Sequence, residues 1–346
     1  MRVTPRLRRD EGGAVLVIVA VSLVVLLGML ALVVDLGRAV AIRRAMVNAS
    51  DSAALAAAQK CALGFGSGQA QAAATVTAKM NDANATLVSF DAGPECDSLQ
   101  TLGLKLVTVR YTTTVDYFVA PILGIDSQDV TTSATAQWGA ARKANPIPLR
   151  LNLGALLNCV GDFTSDDHKT CYLGFDNEDE AGASNDWGWL YFGGPGGAGW
   201  NTTDCTSQAG GSGDPISFIE GDPFVKGVLE DPPPTYVCSY SGNAQDVVRA
   251  LAGREGDILT FPVVDAVKYP VIGQGANLAW PVVAFTKLRL ITVYEQPGAS
   301  QYCPSLLDIK NQSQFCLELQ WEGPQPGGSE PGEGPVYGMP AVRLVK

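Results

Sequence analysis

The sequence predicts an α+β protein: an apolar N-terminal helix continues into a small α+β unit and is followed by a β-rich, disulfide-containing region. Three observations predict it. Residues 14–34 form an uncharged apolar run, and an alanine-rich stretch without proline follows it as far as Cys61. Beyond residue 100, Val- and Thr-rich segments alternate with glycine and proline punctuation. All eight cysteines lie past the apolar run.

The apolar run decides the compartment. Its 21 residues include Ser22 as the one clearly polar side chain. As a helix the run is about 31 Å long, the thickness of a bilayer's hydrocarbon core. Arg2, Arg6, Arg8 and Arg9 precede it, and Arg38, Arg43 and Arg44 follow it. Four arginines against three bias the N-terminus toward the cytoplasm. The cysteines form no C-x-x-C pair, and His168 is the only histidine. They therefore suit disulfides better than structural zinc, and disulfides need an oxidising compartment. The expectation is a cytoplasmic segment at 1–13, a transmembrane helix at 14–34 and an extracytoplasmic body. A cleaved secretory signal is the alternative, with Ala39-Val40-Ala41 as its small-x-small site. Against it, the run exceeds the usual apolar core of about 7–15 residues, and Asp35 and Arg38 intrude before the alanines.

Charge excludes one class of partner. Residues 1–44 hold seven Arg and three acids, a balance of +4, whereas the whole chain is −11. The remainder therefore carries −15, which repels phosphate backbones and argues against nucleic acid as a partner.

Helical pattern continues from Leu36 to Cys61, with many small residues that permit close approach to another helix or to the helix's own domain. Gly64, Gly66 and Gly68 break it, and residues 69–83 read as a second helix. Strands are expected at 105–117 and 130–138, with a short apolar piece at 118–123 between them. The membrane-proximal unit then covers 35–144, and Asn145-Pro146-Ile147-Pro148 reads as a linker. In the region 149–346, residues 243–252 form the one convincing helix. Strands are expected there at 258–264, 281–294, 315–321 and 337–345. The Gly/Pro-rich stretch 323–332 reads as a mobile loop.

The first 60 residues resemble the N-terminal module of TadE/TadG-like proteins of the Flp (tight adherence) pilus assembly system. The resemblance is carried by Glu11-Gly12-Gly13-Ala14-Val15, by Val33-Val34-Asp35-Leu36-Gly37-Arg38, and by Val47-Asn48-Ala49-Ser50-Asp51-Ser52-Ala53. Its motif residues here are Gly13, Asp35, Gly37, Arg38, Asn48 and Asp51. Residues 117–125 and the strand after them look like the strand, short helix and strand that end this module. A looser likeness covers parts of the later region. The resemblance implies a pilin-like α+β unit, a single pass through the lipid bilayer with the N-terminus inside, and a part in building or anchoring a pilus. The implied partners are other pilus assembly or pilin-like proteins.

Few constellations could carry chemistry. A Ser/His/Asp triad would need His168, which lies in a polar run, and no G-x-S-x-G elbow exists. Asp176, Glu178 and Glu180 alternate as weak calcium candidates; the solvated acidic loop is the plainer reading. Trp187, Trp189 and Tyr191 would share one face of a strand, as core or as a partner surface. No cofactor motif is present, since the 193–199 glycine run lacks a phosphate loop's ending. Sequence-neighbour pairing of the cysteines predicts Cys61–Cys96, Cys159–Cys171, Cys205–Cys238 and Cys303–Cys316. The reading is a non-enzymatic structural or assembly protein of a pilus system. A surface binding module (adhesin or glycan binder) and an envelope hydrolase are its rivals.

Overall fold

The computed structural model describes residues 12–97, 104–161, 168–176, 187–190, 203, 205, 227–229, 233–239, 244–274, 277–295, 303, 314–325, 327, 330–332, 336 and 338–345. Helix α1 runs unbroken over Gly12–Ala62, so the apolar run and the alanine-rich stretch are one element of 51 residues. Burial changes along it. From Val15 to Val34 its large apolar side chains face outward. From Met46 onward one stripe is buried, through Ala49, Ala53 and Ala57, with Ala54, Ala58 and Cys61 beside it. Steps of three and four place these residues on one helix face.

Helix α2 (Gly66–Asn81) lies against this stripe and buries Ala70, Ala74 and Ala78. It begins earlier than the expected residue 69. Asp97 supplies the reason: its carboxylate accepts the Ser67 N–H (2.8 Å) and the Ser67 hydroxyl (3.1 Å). That satisfies the helix's first turn from thirty residues away, where no local pattern points to it. Gly66 sits at φ 79°, a conformation L side chains avoid.

The two helices cover an antiparallel sheet of β1 (Thr86–Asp91), β2 (Lys105–Asp116) and β3 (Ser127–Ala141). β1 has no counterpart among the expected strands. β2 alternates strictly, placing Lys105, Val107, Val109, Tyr111, Thr113 and Val115 inside. The far edge of β3 is taken by the end of the chain. β14 (Pro331–Gly332) pairs with Ala140 and Ala141, and β15 (Pro340–Val345) pairs from Ala140 back to Thr135.

Two expectations are corrected here. The stretch 323–332 is not a free loop: Gly323, Pro324, Pro331 and Gly332 are all buried. Composition misleads because the contact needs small residues; a Cβ on Gly139 would strike the Gly332 carbonyl. Residues 145–148 are no free linker either. Pro146, Ile147 and Pro148 are buried, and the Ile147 N–H donates to the Thr260 carbonyl (2.9 Å).

The second sheet runs β6 (Lys169–Asp176), β13 (Gln314–Trp321), β12 (Asn277–Glu295), β10 (Ile258–Val264), β5 (Leu149–Asn152) and β7 (Trp187–Trp189). β9 (Thr235–Cys238) and β11 (Ile272–Gln274) pair with the first part of β12. β10 and β5 are parallel. β4 (Lys143–Ala144) and β8 (Gly227–Val228) form a two-stranded ribbon. Helices α3 (Leu153–Val160) and α4 (Ala244–Ala252) contribute Leu153, Leu156, Val160, Val248 and Leu251 to this sheet's core. α3 is a second helix in a region expected to hold one. The fold is α+β, with disulfides Cys61–Cys96, Cys159–Cys171, Cys205–Cys238 and Cys303–Cys316.

Candidate functional site

Asp35 is the first charge after the apolar run. It is buried although it lies on a helix whose neighbouring side chains are exposed. Its carboxylate accepts the backbone N–H groups of Phe118 (2.8 Å), Val119 (3.0 Å) and Ala120 (2.8 Å). These donors open a 3-10 turn, Ala120–Leu123, at the tip of the β2–β3 hairpin. An anionic acceptor facing three converging N–H dipoles forms charge-assisted bonds, the stronger kind. The tip is closed by the Tyr117 N–H donating to the Asp126 carbonyl (3.0 Å) and the Tyr117 hydroxyl to Gln128 Oε1 (2.5 Å). Between helix and hairpin tip lies an open groove of about 790 Å³, walled by Val24, Gly28 and Leu32 on one side and Val119, Ile122 and Ile125 on the other.

A second join lies higher on the helix. Buried Ser50 shares a hydrogen bond of 2.6 Å with Thr132, whose hydroxyl donates to the Met46 carbonyl (3.0 Å). β3 is thereby bonded to the helix as well as packed on it. Thr132 was invisible to sequence reasoning, since its partners lie more than eighty residues away.

Of the six motif residues, Asp35 is the one seen to bind the hairpin. Gly13 is helical. A Cβ on Gly37 would meet nothing within 4 Å. Arg38 and Asn48 are exposed and Asp51 is half-buried; the Asn48 carbonyl accepts the Ser52 hydroxyl (2.7 Å). These residues do not converge on one place.

The remaining candidates lie elsewhere. Trp189 is buried in the second core, the first of the two readings its strand face offered: pairing of β7 with β5 turns it inward. The Trp187 side chain and Tyr191 lie outside the described residues. Asp176 ends β6, but its side chain, Glu178 and Glu180 lie outside them too. Among the described residues, no three His, Cys, Asp or Glu side chains are grouped to hold a metal ion. His168 is exposed.

The fold and the junction define a protein with one N-terminal helix long and apolar enough to cross a membrane, locked through Asp35 and its distal half to an α+β body. Residues 12–60, nearly all of α1, match the family model described as Flp pilus-assembly TadE/G-like. No curated protein and no solved structure matches the chain.

Proposed function

We propose that this chain is a membrane-anchored structural or assembly component of a Flp/Tad-type pilus. It acts through helix packing and protein contacts rather than catalysis. In this reading residues 1–13 are cytoplasmic, 14–34 span the membrane, and the body is extracytoplasmic. The observation that carries it is the coincidence of the family match at 12–60 with a single helix that is apolar at one end and built into the body at the other. A rigid continuous helix suits an assembly part because it holds the body at a set distance from the bilayer. The four disulfides suit an oxidising compartment.

The test is deletion of the gene in its host, with surface Flp filaments counted after complementation. The native chain restores filaments. A Leu26→Arg chain, which faces an insertion cost of about 2.5–3.5 kcal/mol at mid-span, restores fewer. Normal filaments in the deletion strain refute the assembly role. A reporter fused at Lys346 that is active only in the cytoplasm refutes the topology.

A further inference from the structure

The hairpin tip that Asp35 holds is apolar throughout. From Tyr117 to Ile125 it carries no charge. Its large side chains point outward: Phe118 is 80%, Ile122 83% and Ile125 53% exposed. Its backbone, in contrast, is closed. Asp35 takes the N–H groups of residues 118–120. Carbonyls within the tip take those of Ile122, Gly124 and Ile125. Unbonded N–H and C=O groups are what bar irregular backbone from hydrocarbon. Here the N–H part of that cost is largely removed before any membrane is met.

Position adds a second argument. The groove beside the tip is walled by α1 as far back as Val24, eleven residues before Asp35. At helical rise that is about 16 Å into the apolar run. The tip therefore lies alongside the spanning-length stretch, not above it. Asp116 and Asp126 flank the tip where it joins the two strands, and Arg38 and Arg43 are exposed on the following turns of α1. Charge begins where the apolar surfaces of both elements end, the level at which basic side chains meet lipid phosphates.

We propose that residues 117–125 form a second membrane contact, immersed in the leaflet next to the body, with lipid acyl chains filling the groove between the tip and α1. This rests on the reading of 14–34 as a transmembrane span. Lipid is the occupant because Val24, Gly28 and Leu32 belong to that span, so acyl chains are the medium on that side of the groove. Two attachments a hairpin apart fix the tilt of the body, which one helix alone cannot do.

The test uses the full chain, reconstituted in vesicles of phosphatidylethanolamine and phosphatidylglycerol. A photoreactive benzophenone amino acid is placed singly at Leu26, at Ile122 and at Val267, a turn residue 96% exposed in the second region. Irradiation followed by mass spectrometry should give lipid adducts at Leu26 and Ile122, several-fold above Val267. Adducts at Leu26 with Ile122 no higher than Val267 overturn the second contact and leave the anchor standing. Adducts of Ile122 with protein instead of lipid also overturn it, and make a second copy of the chain the occupant. No adduct at Leu26 overturns the anchor and the inference together.

Discussion

Trp138→Ala tests whether the first sheet depends on one buried ring. Trp138 is fully buried on β3, opposite Lys105 on one neighbouring strand and Val342 on the other. It therefore supports both β2 and the C-terminal β15. A buried tryptophan removes about 150–250 Å² from water, worth about 4–6 kcal/mol at 25 cal/mol per Å². Substitutions of this kind cost about 3–5 kcal/mol, because the cavity collapses only in part. The Lys105 ammonium lies 4.6 Å from the ring centroid. Losing that contact adds about 1 kcal/mol. The sum, about 4–6 kcal/mol, is a large share of the 5–15 kcal/mol that holds a typical domain. Urea unfolding of the full chain in detergent, followed by far-UV circular dichroism, measures the loss. Amide exchange should rise in β2 and β15 before β13. A loss below about 1 kcal/mol, the size of an average substitution, would refute the central role given to this ring.

Four further outcomes follow from single sites. Lys105 is buried, and burial holds its ammonium below the usual lysine value. As pH rises through that lowered value the folded state loses its proton first, so stability should rise with pH up to the unfolded value near ~10.4; Lys105→Met should abolish that slope in pH-dependent urea titrations. Glu322 accepts a two-pronged pair of bonds from Arg289, which holds its carboxyl below the usual range. That stabilisation is present above about pH 4.3 and lost as pH falls through the lower folded value, so Glu322→Gln should lower stability at neutral pH and remove this part of the acid transition. Replacing Cys61 and Cys96 by Ser opens a loop with a sequence separation of 35. This should cost about 3–4 kcal/mol by loop-closure entropy, read as a fall in thermal midpoint. Asp35→Ala leaves three N–H groups without their acceptor, so amide exchange at 118–120 should speed up while 107–111 is unchanged; equal rates in both proteins would show that Asp35 does not hold the tip.

Features set by local chemistry were legible in the sequence. An uncharged run of spanning length followed by alanines without proline is helical in any context, and α1 is one helix. Alternation over 105–117 marked β2, although only the fold shows that Lys105 lies on its inner face. Gly64 and Gly66, both with positive φ, separate the first two helices as their chemistry requires. The N-terminal segment also carried enough ordered motif to suggest its family, and residues 12–60 match that family model.

What local chemistry could not show was which distant residues meet. Asp35 reads in sequence as the charge that ends an apolar run; its role as acceptor for residues 118–120 exists because the β2–β3 hairpin folds back along the helix. Asp97 begins α2 in the same long-range manner. Stretch 323–332 has the composition of a loop, yet Pro331 and Gly332 are buried because Gly139 leaves room for their backbone. β14 and β15 join the first sheet although β13, the long strand before them, belongs to the second, since the edge of β3 offers unpaired N–H and C=O groups that a strand satisfies. By itself the sequence determined the long first helix, the break after it, the β2 strand and the run of spanning length, because those choices depend on a residue and its near neighbours. Tertiary structure alone decided that Pro331–Gly332 and Pro340–Val345 complete the first sheet, because strand pairing and buried hydrogen bonds depend on groups brought together only by the folded chain.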